Sequence, residues 1–150
     1  MHYIPLLKEK FNFNYIAENF KNQYNILKSA VIGESINMNY MLITAARNGE
    51  IHLVIHAMNF ATSRYINVIS AFILSSGHGH LEIVQYFVRK GVDVRVENNC
   101  ALMFACQSGH LEIVQCLVEN GADIHSNNDE ALRTSGERGY YHIVNYLSSF

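Results

Sequence analysis

A chain of 150 residues suffices for one domain that hides most of its apolar surface on folding. Its 11 Lys and Arg are scattered among 13 Asp and Glu, giving a formal charge of -2 and a pI near 6.4, so no basic face announces nucleic acid or an anionic membrane. Cys100, Cys106 and Cys116 suit reduced thiols in the cytoplasm or nucleus better than a disulfide framework; Lys8, Glu9 and Lys10 come before any apolar core of signal-peptide length, and no apolar run nears the ~18 residues needed to cross a bilayer.

Internal repetition decides the architecture. The heptapeptide GHLEIVQ stands at Gly79–Gln85 and again at Gly109–Gln115, thirty positions on. Residues 1–40 match this period poorly. Asn25, Ile26, Leu27 and Ala30, then Gly33 and Ile36, suggest a degenerate unit of about two helices that caps the array. Blocks of thirty follow at 41–70, 71–100 and 101–130, with a partial block at 131–150; the second and third share twelve identities without a gap.

Each block reads as two short helices. The first carries Leu42, Phe72, Leu102 or Leu132 near its start. Small residues follow: Ala45 and Ala46, Ser75 and Ser76, Ala105 and Cys106, Ser135 and Gly136. These let neighbouring helices approach closely. The column Gly49, Gly79, Gly109 and Gly139 then ends the first helix, since glycine takes the left-handed conformation of a helix C-terminus without steric cost. The second helix of the third block places Leu111, Ile113, Val114, Leu117 and Val118 at helical spacing on one buried face. Gly91 and Gly121 stop the second helices, a short extended stretch leads to a polar turn, and Asn99 and Asp129 stand where side chains would cap the next helix. In the first block Ala61, Thr62 and Ser63 replace Gly-Ala-Asp, so its second helix either runs on or ends differently. The last block stops at Phe150 within its second helix, where Tyr140, Tyr141, Tyr146 and Phe150 leave an aromatic surface. Helices of about ten residues are marginal alone, so the pairs must stack into an elongated solenoid.

SGHLEIVQCLVENGADI, Ser108 to Ile124, resembles the central signature of ankyrin repeats, and GHGHLEIVQYFVRKGVDV and GYYHIVNYL resemble it more loosely. The likeness covers Met41 to Phe150. The usual unit has 33 residues with a Thr-Pro-Leu-His motif before the first helix. Here Ala-Leu stands alone, and the three missing residues come from the projecting turn. Such arrays are similar to those of giant DNA viruses of the mimivirus kind, which implies a virus-infected cell. The resemblance implies an all-α, ankyrin-type solenoid of stacked helix-turn-helix repeats with short β-turn tips. It further implies a monomeric protein-interaction module that is no enzyme, needs no cofactor, and binds another protein, host or viral, rather than nucleic acid or membrane. In the family, partners are gripped by the turn tips and the outward positions of the first helices. Carried over, these are Arg47, Asn48, His78, Gln107, Ser108, Glu137 and Arg138 on the helices, with Arg95, Glu97, Asn98, His125, Asn127 and Asn128 on the turns.

Three chemical constellations compete with that reading. His52 and His56 stand one helical turn apart, like the ligands of a metalloprotease helix, and would serve a metal-dependent hydrolase; the glutamate that should follow the first histidine is replaced by Leu53. Cys106 and His110 also stand four apart, but each occupies a repeat column, Cys106 with Ala46 and Ser76, His110 with His80 and Tyr140. Gly77 and Gly79 ahead of a helix resemble a phosphate-binding turn, yet Glu82 stands where a third glycine belongs and no strand precedes. No catalytic, metal or cofactor residue is therefore assigned.

Overall fold

The computed structural model describes residues 31–32, 35–60 and 65–150. A short antiparallel ladder pairs β1 (Val31–Ile32) with β2 (Ser35–Ile36). Among the described residues follow α1 (Met38–Asn48), α2 (Ile51–Phe60), α3 (Tyr65–Gly77), α4 (Leu81–Arg89), α5 (Val96–Ser108), α6 (Leu111–Glu119), α7 (Ser126–Glu137) and α8 (Tyr141–Leu147). Of the cap expected over 1–40, residues 1–30, 33 and 34 lie outside the described residues. The Asn37 side chain accepts from the amides of Asn39 and Tyr40, both at 3.1 Å, and so starts α1 ahead of the first thirty-residue block.

The helices form two layers. First helices stack as α1 on α3, α3 on α5 and α5 on α7; second helices stack as α2 on α4, α4 on α6 and α6 on α8. Between the layers the repeated columns meet: Leu42, Phe72 and Leu102 from the first helices, Val54, Val84 and Val114 from the second, all buried. Alternation of bulk fills the space, as where Phe87 occupies the column of Ala57 and meets Phe72 edge-on with ring centroids 6.2 Å apart. The small-residue columns sit between successive first helices. There Ser75 and Ser76 both donate to the Phe72 carbonyl, at 2.8 and 2.9 Å, and Ser135 donates to Ala131 at 2.8 Å, so these buried hydroxyls are satisfied within their own helix.

Gly109 ends α5 with φ +80, and the His110 amide reaches back to the Ala105 carbonyl at 3.0 Å, which closes the helix. The same bond recurs at Glu50, His80 and Tyr140. Space matters as much as φ. A Cβ on Gly109 would lie 2.7 Å from the Tyr140 ring, just as one on Gly49 would lie 2.7 Å from His80. Gly49, Gly79 and Gly109 are thus each the seat for the next repeat's ring.

The turn tips are more specialised than their polarity suggests. Asp93–Val96 and Asp123–Ser126 close as β-turns, with amide-to-carbonyl distances of 3.2 and 3.4 Å, and each Asp side chain accepts a second amide, from Arg95 at 2.9 Å and His125 at 3.0 Å. Three residues then adopt left-handed conformations in a row: Glu97, Asn98 and Asn99, and again Asn127, Asn128 and Asp129. Such residues cost about 1 kcal/mol or more each, least for Asn and Asp, which accounts for five of the six. This corrects the capping role expected of Asn99 and Asp129. Held left-handed, Asn99 turns its Oδ1 to the Asp123 amide of the next tip at 2.8 Å, and Asp129 takes His125 Nδ1 at 2.6 Å. At the first junction Asn67, Val68 and Ile69 occupy the triad's columns. Branched at Cβ, Val68 and Ile69 resist positive φ. Among the described residues the left-handed triad does not recur there: α3 starts at Tyr65 and runs unbroken to Gly77.

Candidate binding face

The outward columns of the first helices read Thr44, Leu74, Phe104, Thr134; then Arg47, Gly77, Gln107, Glu137; then Asn48, His78, Ser108, Arg138. Of the thirteen residues expected to face a partner, Gln107 is half-buried and the other twelve are exposed. The structure brings the helix residues onto one face and the tip residues onto its edge, but several tip groups are already engaged. Arg95 Nε donates to the Gly121 carbonyl at 2.7 Å, the Asn98 carbonyl accepts from Ser126 at 3.3 Å, and Asn127 donates to Glu130 at 3.2 Å. The first two bonds tie one tip to the next, and the third lies within a tip. Glu137 is paired with Arg133 at 3.3 Å, an exposed contact of little energy.

Imidazoles fasten the row of turns. His80 Nε2 donates to the Arg47 carbonyl at 2.9 Å and His110 Nε2 to the Gly77 carbonyl at 3.2 Å. His110 is therefore occupied by repeat stacking, and Gly79, read as part of a phosphate turn, has the His110 ring 2.8 Å from where a Cβ would stand.

Sequence reasoning missed an apolar part of this face. Phe104 is 40% exposed, and with Ile73, Leu74, Gly77, His78 and Ser108 it encloses a dent of about 280 Å³. The sequence reading gave Ile73, Leu74 and Phe104 no place on the face. The usable signal was the column itself, which runs Thr, Leu, Phe, Thr where the core column Val54, Val84 and Val114 keeps one residue. A shallower groove of about 460 Å³ lies between α4 and α6 on the second-helix side, lined mainly by amide and charged groups of both signs, Arg89, Glu112 and Glu119 among them.

A family model described as Ankyrin repeats (3 copies) matches residues 42–128 and, again, 71–149. The chain belongs to the ankyrin-repeat family. A search among curated proteins gave no match. Ankyrin repeats are generally protein–protein interaction modules and typically non-enzymatic scaffolds. In this ankyrin array, no group of three or more His, Cys, Asp or Glu among the described residues is placed to hold a metal ion. No described helix is long and apolar enough to cross a membrane. His52 is exposed, while burial lowers the pKa of the half-buried His56. Cys106 is wholly buried against Ser135 of the next repeat; burial pushes its thiol up to about 11, with a partial offset from the Ser135 hydrogen bond, so it is neither thiolate nor accessible at neutral pH.

Proposed function

We propose that this ankyrin array binds another protein, host or viral, as a monomer, through the outward face of its first helices and the edge formed by its tips. The observation that carries the reading is the contrast between columns. Those facing inward repeat buried residues from row to row, while the two outward columns of Arg47, Gly77, Gln107 and Glu137 and of Asn48, His78, Ser108 and Arg138 change chemistry in every row and are exposed or half-buried throughout. Mixed hydrogen-bonding groups around an apolar centre suit a protein surface rather than a phosphate backbone. The thirty-residue unit lacking Thr-Pro-Leu-His supports a setting in the cytoplasm or nucleus of a cell infected by a large DNA virus. Affinity enrichment and mass spectrometry, from infected and uninfected cells, tests this with the wild-type chain and a variant carrying Asn48→Ala, His78→Ala, Phe104→Ala and Arg138→Ala. A protein retained by the wild type and lost by an equally stable variant is the expected result; identical recoveries from both contradict it.

A further inference from the structure

Gly77 has no backbone reason to be glycine. It lies at the end of α3 without the positive φ of the turn glycines, where glycine is about 0.5–1 kcal/mol worse than alanine for the helix. In the other three rows its column carries Arg47, Gln107 and Glu137. What the missing side chain leaves is space. The position of a Cβ there would be 3.3 Å from Phe104 Cβ and 3.5 Å from Cδ1, so a longer residue would grow into the dent of about 280 Å³ beside that ring. Small-molecule pockets run about 300–1,000 Å³ and enclose their ligand, whereas this dent is small and open to the face, the shape of a seat for a single side chain.

Its surroundings are fixed and asymmetric. His78 Nδ1 is bound to the Leu74 carbonyl at 2.9 Å, which holds the ring upright at the rim and leaves Nε2 for a partner. The His78 ring stacks on His80 at 6.4 Å, and His80 grips the Arg47 carbonyl. A line of contacts therefore runs from the dent to Arg47, one row away. Arg47 is exposed and makes no ion pair among the described residues. The outward columns of the first three rows contain no acid, and in the fourth row Glu137 is already paired with Arg133. This end of the face is apolar and then positive.

We infer that the dent of Leu74, Gly77 and Phe104 anchors one large apolar side chain of a partner segment that also carries a carboxylate for Arg47, one row or about 10 Å away. The inference rests on the protein-binding reading above and names the partner's chemistry. In an extended segment that distance is about three residues at ~3.3 Å each.

The test uses a phage-displayed library of random linear peptides panned on the full 150-residue chain, with affinities of synthetic copies read by fluorescence polarisation. Enriched sequences are expected to combine Leu, Phe or Met with Asp or Glu about three residues away. Phe104→Ala, and independently Gly77→Met, which fills the dent from its floor, should each weaken binding about tenfold or more. Arg47→Glu should weaken it too, and a peptide with its acid changed to Arg should recover affinity for that variant. Glu82→Ala on α4 should leave binding unchanged, and the thermal midpoint of each variant separates lost contact from lost fold. Peptides without an acid, or peptides indifferent to both Phe104→Ala and Gly77→Met, overturn the inference and leave the broader reading standing. Failure to enrich any peptide also overturns it, and the affinity-enrichment experiment then decides the broader reading alone.

Discussion

The junction at residues 65–69 and those at 93–99 and 123–129 join equivalent repeats in opposite ways. At the two later junctions a β-turn and three left-handed residues project as a tip, and the first tip bonds the second, through Arg95 to Gly121 and Asn99 to Asp123. At the first, α3 simply starts early. The difference comes down to which residues tolerate positive φ. Asn and Asp hold the left-handed turn at modest cost, whereas Val68 and Ile69 stay helical and join the packed side, Ile69 being buried. Stacking thus fixes the rows, and a few local residues decide whether the start of a row's first helix is left-handed or helical.

The comparison can be broken most forcefully at the turn glycines. Gly109→Val combines a left-handed penalty with a Cβ 2.7 Å from the Tyr140 ring and should cost about 3–5 kcal/mol, a fall of roughly 10 °C in thermal midpoint. Gly139→Val meets nothing within 4 Å and should cost only the backbone share, about 1–2 kcal/mol. Equal losses would show that the ring seat contributes nothing. Next, Asn99→Ile writes the first junction's residue into a tip. It forces a β-branched residue to positive φ and removes the bond to the Asp123 amide, for about 2–4 kcal/mol in denaturant unfolding. An unchanged midpoint would mean that the left-handed triad is not what separates the two kinds of junction.

A pH scan sharpens the picture of the stack beneath the tips. The folded pKa of Cys106, about 11, lies above its ordinary value of 9.0, so the folded state keeps the proton longer. The contribution is complete below pH 9 and is lost as pH rises toward 11, by about 2 kcal/mol. Cys106→Ala, which copies Ala46 of the first row, should flatten that part of the stability profile. The smallest effect is expected from Asn128→Gly at φ 56, where relief of the left-handed cost and added unfolded-state entropy nearly cancel, leaving a change within about 0.5 kcal/mol.

Much of this was legible in the residues. The glycine column gave the turns and the row spacing, because few other residues satisfy both positive φ and a ring packed above it. The core columns were legible because they repeat. What escaped was chemistry that depends on handedness or on neighbours from another row. Asn99 looks like a helix cap until its left-handed backbone sends the side chain to Asp123. Arg95 looks like a free surface cation until Gly121, twenty-six residues on, accepts from its Nε. Phe104 looks like core because periodicity cannot tell that Gly77, in the neighbouring row, leaves its ring uncovered.

Amide hydrogen exchange of the full chain, alone and saturated with the peptide enriched by panning, tests the open first-helix face most directly. Slowed exchange confined to the C-terminal turn of α1 around Arg47, to α3 and α5, and to the tip at 93–99 is the expected result. Slowing along α4 and α6, on the opposite side of the stack, would contradict it.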